Sequence, residues 1–205
     1  MARDLQSIVK RSRREGYALH PKAHKALVKR TTLPGQGPGY RSRNKASQYS
    51  LQLREKQKVK RLYGLLERQF AKLMTEATKT TGQSGSTLLK YLEQRMDNVV
   101  YRAGFAPSRR GARQLVTHGH FMLNGVRVDI PSIRVKIGDQ ITLRDKSKTS
   151  DYFKRLDETS PAPAAIPAWL KAERKKVAVN VTGEPARDDA EPDIKEQLIV
   201  EYYSR

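Results

Sequence analysis

"SRRGARQLVTHGHFMLNGVRV", Ser108 to Val128, changes its hydrophobic period partway along. Up to His118 the apolar residues Ala112, Leu115 and Val116 fall at three- and four-residue steps, the spacing of one helix face. Ser108 is an N-cap type of residue and Gly119 suits a stop, so the spacing predicts a short helix over about Arg109 to His118. From Phe121 the period drops to two. Asn124-Gly125 is the favoured pair for a two-residue type I′ hairpin. Pairing across it sets Leu123 against Val126 and Phe121 against Val128, one apolar face. A helix that runs into a hairpin makes this part of the chain α+β.

The neighbouring segments extend the pattern. Ile133, Val135 and Ile137 alternate with Arg134 and Lys136, and after Gly138-Asp139 Ile141 and Leu143 alternate with Thr142 and Arg144. A small antiparallel sheet is expected, oily on one side and basic on the other through Arg127, Arg134, Lys136 and Arg144. Upstream, Leu88, Leu89, Leu92, Met96, Val99, Val100 and Ala103 predict a helix from about Ser86 to a stop at Gly104. Before it, Val59, Leu62, Tyr63, Leu66, Phe70, Leu73 and Ala77 predict one long amphipathic helix ending near Gly82. Residues 1–50 are basic and rich in breakers; Thr32 to Gln48 carries three glycines and two prolines and reads as irregular until a partner orders it. Downstream, "ETSPAPAAIPAWLKAERKK" reads as a Pro/Ala-rich linker anchored by Trp169, and "TGEPARDDAEPD" as an acidic loop. The cluster Ile194, Leu198, Ile199 and Tyr202 should dock on something. No internal repeat is present.

The formal net charge is +20, and it is unevenly placed. Residues 1–60 hold 16 Lys/Arg against 3 Asp/Glu, residues 61–150 hold 16 against 7, and residues 151–205 hold 9 against 11. A field of one sign over three quarters of a chain repels itself unless a polyanion neutralises it, which points to nucleic acid first and an anionic membrane surface second. No apolar run approaches the roughly 20 residues that span a bilayer. There is no signal-peptide core near Met1, and Asp4 and Glu15 argue against a transit peptide. The absence of cysteine excludes disulfides, thiolate metal sites and cysteine nucleophiles.

With the stripe Ala112–Leu115–Val116 facing a core, Arg109, Arg113 and Thr117 are expected along the open side, with Arg110 and Gln114 beside them. Guanidinium groups at this spacing can fork onto phosphate oxygens, and a helix N-terminus adds a positive dipole. The plainer alternative is a solvated charged face; the scarcity of acidic partners favours nucleic acid. The histidines are weaker candidates. Hairpin pairing sets His120 opposite Asp129, His118 ends a helix, and His20 and His24 have helix-ligand spacing but no acidic or thiolate companions. No metal site, no cofactor, no nucleophile elbow and no phosphate-cradling Gly-Lys loop is expected.

"RMDNVVYRAGFAPSRRGARQLVTHGHFMLNGVRVDIPSIRVKIGDQI" closely resembles the small RNA-binding domain of the S4 family of bacterial small-subunit ribosomal proteins. "QLREKQKVKRLYGLLERQF" resembles that family's first long helix, "SRREG" its N-terminal segment and "LIVEYYSR" its C-terminus. The resemblance runs the length of the chain in order. It implies an α+β, mainly α fold: a helical domain from residues 1–93 completed by the 155–205 tail, with a small RNA-binding domain inserted at 94–154. It implies a non-enzymatic, cytoplasmic constituent of the small ribosomal subunit that binds rRNA early at a multi-helix junction and nucleates assembly of the body. It also implies a neighbour, ribosomal protein S5, at an interface linked to translational accuracy, and a place near the channel by which mRNA enters. By position in the motif, Arg109, Arg110, Arg113, Gln114 and His118 would contact rRNA, joined by Arg54, Lys56, Lys58 and Arg61 and by Arg13 and Arg14. Arg41, Arg43 and Lys45 would face the mRNA. Many relatives hold zinc near the N-terminus with four cysteines; this chain has none, so Ser12 to Arg30 must be held by packing and rRNA contacts. The usual "PGQHG" reads "PGQGPG" here.

Three other readings compete with this one. Pseudouridine synthases carry a similar small domain and an Arg-Leu-Asp motif that "RMD" (Arg95 to Asp97) superficially matches, but no separate catalytic domain is present, and Asp97 is expected to serve as a salt bridge or cap. A membrane-surface protein needs a broad apolar face with aromatic anchors, which the most basic region lacks. A free-standing RNA chaperone or a repressor of its own message is the third.

Overall fold

The computed structural model describes residues 6–30, 32–36, 46–163 and 165–204. The chain forms two compact units, Met1–Leu88 with Asp193–Arg205, and Leu89–Pro192.

In the first unit, α1 (Ile8–Glu15) ends on Gly16 in the left-handed region, and α2 (Pro21–Lys29) starts with Pro21 at its first position. His20 caps α2: its Nδ1 accepts from the Lys22 N–H at 3.0 Å. The cysteine-free N-terminus is held by packing and local polar bonds. Ala23 is fully buried, and so is Ser12, whose Oγ donates to the Ile8 carbonyl (2.9 Å) and accepts from the Leu19 N–H (3.3 Å).

The long helix expected through Val59 to Ala77 is two helices, α3 (Gln48–Leu62) and α4 (Glu67–Lys79). Gly64 takes φ +67° at the break, and the Leu65 N–H returns to the Lys60 carbonyl at 3.0 Å, which closes the helix end. Leu62, Tyr63 and Leu65 are all buried, so the turn is itself part of the core and the apolar spacing runs through it without a gap. The first turns of α5 (Ser84–Glu93) belong to this unit as well.

In the second unit α5 ends and α6 (Met96–Arg102) begins, again where a single helix was expected. The break is made by residues 131–135. Met96 and Asp97 N–H groups donate to the Ile133 and Pro131 carbonyls (2.8 and 3.2 Å), and Val135 N–H donates to the Gln94 carbonyl (2.9 Å). Those bonds also explain why residues 133–137 form no ladder strand: their one bridge is Arg95 with Arg134. Next come α7 (Arg109–Thr117), β1 (Phe121–Leu123), β2 (Val126–Val128) and β3 (Gln140–Leu143). The hairpin register pairs Phe121 with Val128 and Leu123 with Val126, and Asn124 and Gly125 both have positive φ, as a type I′ turn requires.

Three one-turn helices follow, α8 (Asp145–Lys148), α9 (Asp151–Lys154) and α10 (Leu156–Thr159). Then β4 (Leu170–Glu173) and β5 (Ala178–Val181) join the same sheet, whose order is β2-β1-β3-β5-β4, antiparallel throughout. The linker reading therefore stops short of Trp169, which is buried in the core with Leu170, Val179 and Val181. Phe105, Phe121 and Phe153 fill the space between the sheet and helices α6 and α7.

The chain closes with α11 (Glu196–Tyr203), which packs along α3 in the first unit. Gln52 Nε2 donates to Glu201 at 2.7 Å, the Lys56 ammonium lies 4.5 Å from the Tyr202 ring centre, and Ile199 is fully buried.

Candidate nucleic-acid interface

Helix α7 is positioned from both sides. Ser108 Oγ accepts from the Gly111 N–H at 3.2 Å and starts it. Ala112 and Val116, fully buried, pin one face to the core. Arg110, Gln114, Thr117 and His118 are exposed on the other.

Arg109 and Arg113 do not share that open side; of the three residues expected there only Thr117 does. Both arginines are drawn sideways onto polar groups of α6. Arg113 Nη1 donates to Asp97 Oδ2 at 3.0 Å, and Asp97 also receives Arg95 through Nε and Nη2, each at 3.2 Å. Asp97 Oδ1 further accepts from the Asn98 N–H (3.1 Å); of the two expected roles it serves as a salt-bridge centre inside the first turn, the N-cap position being Arg95. Arg109 Nε donates to Asn98 Oδ1 at 2.9 Å, its Nη2 to Glu191 at 3.0 Å, and its guanidinium stacks on Tyr101 at 4.6 Å. Asn98 is fixed in turn by Glu93, a fully buried carboxylate that also takes a two-point fork from Arg102 (3.0 and 2.8 Å). The sequence could not place these partners because Glu191 lies 82 residues from Arg109.

The basic rim beside α7 is broken up. Arg127 folds its guanidinium over Gly119, where an added Cβ would sit 2.6 Å from its Nε; the exposed Arg127 side chain can swing away, so it is φ +70° that holds this position to glycine. Arg134 stacks on Tyr91 at 4.5 Å, and Lys136 is exposed. His120 is half-buried with Nδ1 3.0 Å from Ser147 Oγ. Burial first, then the neighbouring His118 and Arg144, hold its pKa below the usual imidazole value, which favours the neutral ring. Among the described residues no cluster of three or more His, Asp or Glu is placed to hold a metal ion.

The candidates of the first unit divide by exposure. Arg54 (39% exposed) and Arg61 (16%) converge on Glu15, whose side chain is fully buried. Burial outweighs the attraction of Arg54 and Arg61 and raises the Glu15 pKa. Lys56 is 4% exposed and bonded at 2.7 Å to Glu67, whose side chain is 46% exposed, so its ammonium is paired beneath the surface and is not presented to solvent. Its step pattern with buried Gln52, Val59 and Tyr63 was the signal for that, overlooked because lysine was read as surface. Lys58 bonds Glu55 (2.8 Å) and the Asp193 carbonyl (2.8 Å), and Arg13 the Thr32 carbonyl (2.7 Å). Arg14 is exposed. Arg41, Arg43 and Lys45 lie outside the described residues.

What the α7 face can do chemically is bind anions by charge-assisted hydrogen bonds from a rigid support. No described helix is long and apolar enough to cross a membrane. A family model described as "S4 domain" matches residues 94–141, and one described as "Ribosomal protein S4/S9 N-terminal domain" matches residues 3–93. The chain is 50% identical over 212 residues to the small ribosomal subunit protein uS4 of Clostridioides difficile, covering all of both chains. It is 50% identical over 209 residues to that of Chlorobaculum tepidum and 51% over 209 to that of Chlorobium luteolum, again over the whole of each.

Proposed function

Because the chain belongs to the uS4 family of small ribosomal subunit proteins, we propose that it holds small-subunit rRNA through the exposed face of α7 and makes or breaks no bond. It is a structural, non-enzymatic ribosomal protein that binds rRNA on the cytoplasmic ribosome.

The observation that carries the α7 reading is the support beneath it. Arg110, Gln114, Thr117 and His118 face outward from a helix whose other arginines are anchored to Asp97, Asn98 and Glu191. Structured RNA is read mostly through phosphates, 2′-hydroxyls and junction shape, which rewards a rigid display of donors. On this reading residues 94–154 are the RNA-contacting module, with Arg109 and Arg113 as its fixed inner rank. Arg14 and Arg54 add phosphate contacts from the helical part, which residues 193–205 complete. The finer duties follow the family: a primary binder at a multi-helix junction that nucleates the subunit body, a neighbour of ribosomal protein S5 that contributes to translational accuracy, and an mRNA-facing patch at Arg41, Arg43 and Lys45.

The test is binding of the purified chain to a small-subunit rRNA junction fragment across a salt series, with a scrambled RNA of equal length as competitor. If six to ten phosphates are contacted, affinity falls by roughly 10³–10⁵ between about 50 and 200 mM salt, using duplex DNA as guide. Preference for the junction is expected. An equal slope with no preference would replace this reading with a promiscuous RNA chaperone.

A further inference from the structure

The acidic stretch that follows β5 lies on cations of the second unit. Glu184 pairs with Lys90 at 2.5 Å, the Asp189 carbonyl accepts from Arg102 Nη2 at 2.9 Å, and the Glu191 carboxylate sits between Arg109 (3.0 Å) and Arg102 (3.6 Å). Opposite charges are common on any surface and are worth little when exposed. This pair of contacts is different in three respects.

First, two guanidinium groups converge on one carboxylate, and both are mostly buried: Arg102 is 17% exposed, Arg109 13% and Glu191 24%. Second, each arginine is held by another partner as well. Arg102 is forked onto Glu93, and Arg109 is bonded to Asn98 and stacked on Tyr101. Removing the Glu191 carboxylate therefore leaves both arginines in position. Third, Arg109 is the first residue of α7, where the helix dipole favours an anion, and it borders the exposed Arg110. Glu191 itself belongs to no helix or strand and is the most exposed of the three.

We infer that Glu191 stands where an RNA phosphate binds: Arg102 and Arg109 form a two-arginine phosphate subsite that the chain fills with its own carboxylate until RNA displaces it. A phosphate oxygen accepts the same charge-assisted guanidinium hydrogen bond that the Glu191 carboxylate takes from Arg109, so the exchange is chemically like for like. The inference rests on the reading of α7 as the rRNA face. Its consequence is selectivity. Every RNA that uses this subsite must first displace Glu191, a penalty that an RNA making many correctly placed contacts overcomes and a loosely held one does not.

The test uses the full-length chain with two probes, the rRNA junction fragment and polyuridylate, and compares wild type, E191Q, R109A and the double variant. E191Q is expected to tighten polyuridylate binding by roughly 3- to 10-fold at about 100 mM salt, and to do so by less on the junction, so discrimination falls. In the R109A background the gain disappears. E191Q binding that is unchanged or weaker on both RNAs while R109A still weakens the junction overturns the inference and leaves the α7 reading standing. R109A that binds the junction like wild type overturns the inference, and the α7 reading falls with it only if R110A with Q114A also binds like wild type. If E191Q melts too low for comparison, E191S is run through the same series and judged by the same outcomes.

Discussion

Asp97 Oδ2 lies 3.0 Å from Arg113 Nη1 while both Asp97 oxygens also receive Arg95, so one carboxylate with 6% of its side chain exposed organises two cations. This ties the turn between α5 and α6 to the middle of α7. The charge that the sequence advertises on α7 is therefore partly spent inside the molecule, on aim.

Removing that carboxylate leaves Arg95, 4% exposed, with a buried charge and no anion in its place. D97A is expected to lose about 3–5 kcal/mol of stability, read as a lower urea midpoint at unchanged slope. A loss below about 1 kcal/mol would mean that Arg95 reaches solvent on its own.

The exposed and anchored arginines of α7 should separate when mutated. R110A with Q114A is expected to weaken junction binding while the melting temperature holds, because both side chains face outward. R109A with R113A is expected to weaken binding and lower the melting temperature together, since Asp97, Asn98 and Glu191 lose their partners. Parallel melts and binding curves on the two pairs decide it; equal thermal behaviour would show that the α6 contacts contribute nothing to the fold.

Gly104 and Gly125 both carry positive φ, +76° and +82°, but differ in surroundings. A Cβ on Gly125 meets nothing within 4 Å, whereas one on Gly104 would stand 2.4 Å from Pro163 Cδ. G125A should cost about 1–2 kcal/mol from backbone strain alone. G104A should cost about 1–3 kcal/mol more, because Ser160 and Arg174 also hold the Gly104 carbonyl (3.0 and 2.6 Å) and resist any shift. Urea melts of the two variants give the comparison.

Glu67 gives a pH signature. Burial pulls its pKa upward, but hydrogen bonds from Lys56, Lys60 and Tyr203 outweigh it and hold the pKa at about 2, against 4.5 for the free group. A depressed carboxylate stabilises the fold above the unfolded value and ceases to do so as pH falls toward the folded one. With the side chain 46% exposed, solvent screening limits the effect to about 1 kcal/mol. The gap in stability between wild type and E67Q should be constant from neutral pH to about 5 and close between about 4.5 and 2. Glu15 acts in the opposite sense. Its raised pKa makes its contribution decline as pH climbs above 4.5; because it is present in both proteins it cancels in the E67Q gap, and it is read instead as wild-type stability rising relative to E15Q as pH falls.

Local signals were legible where the structure is local. The α7 stripe, its Ser108 cap and the Asn124-Gly125 hairpin were readable because each depends on residues within a turn or two. The two helix breaks were not. At Gly64 the turn is apolar and continues the helical spacing, and at Gln94 the break is imposed by backbone bonds from residues 131–135. β4 and β5 were not legible because their neighbours Pro161, Pro163 and Pro167 give the segment the composition of a linker, while β3, the strand that ties β5 to the sheet, is far upstream. For the interface, the type of partner was visible in the charge distribution. Which cations face outward was not, since Glu15, Asp97 and Glu191 choose their partners through the fold.

The pairing of α3 with α11 sets an order of events during synthesis. Gln52 and Glu201 stand 149 residues apart in sequence yet share a hydrogen bond, and everything between Leu89 and Pro192 belongs to the other unit. As the chain emerges from N- to C-terminus, the sheet unit has all its strands by Val181, before any residue of α11 exists. It can close on itself while α3 still waits for its partner, and once folded it shortens the loop that α11 must bridge. Helix α7 and the sheet behind it are then complete before α11 exists, so the two halves of the protein need not fold in a single step.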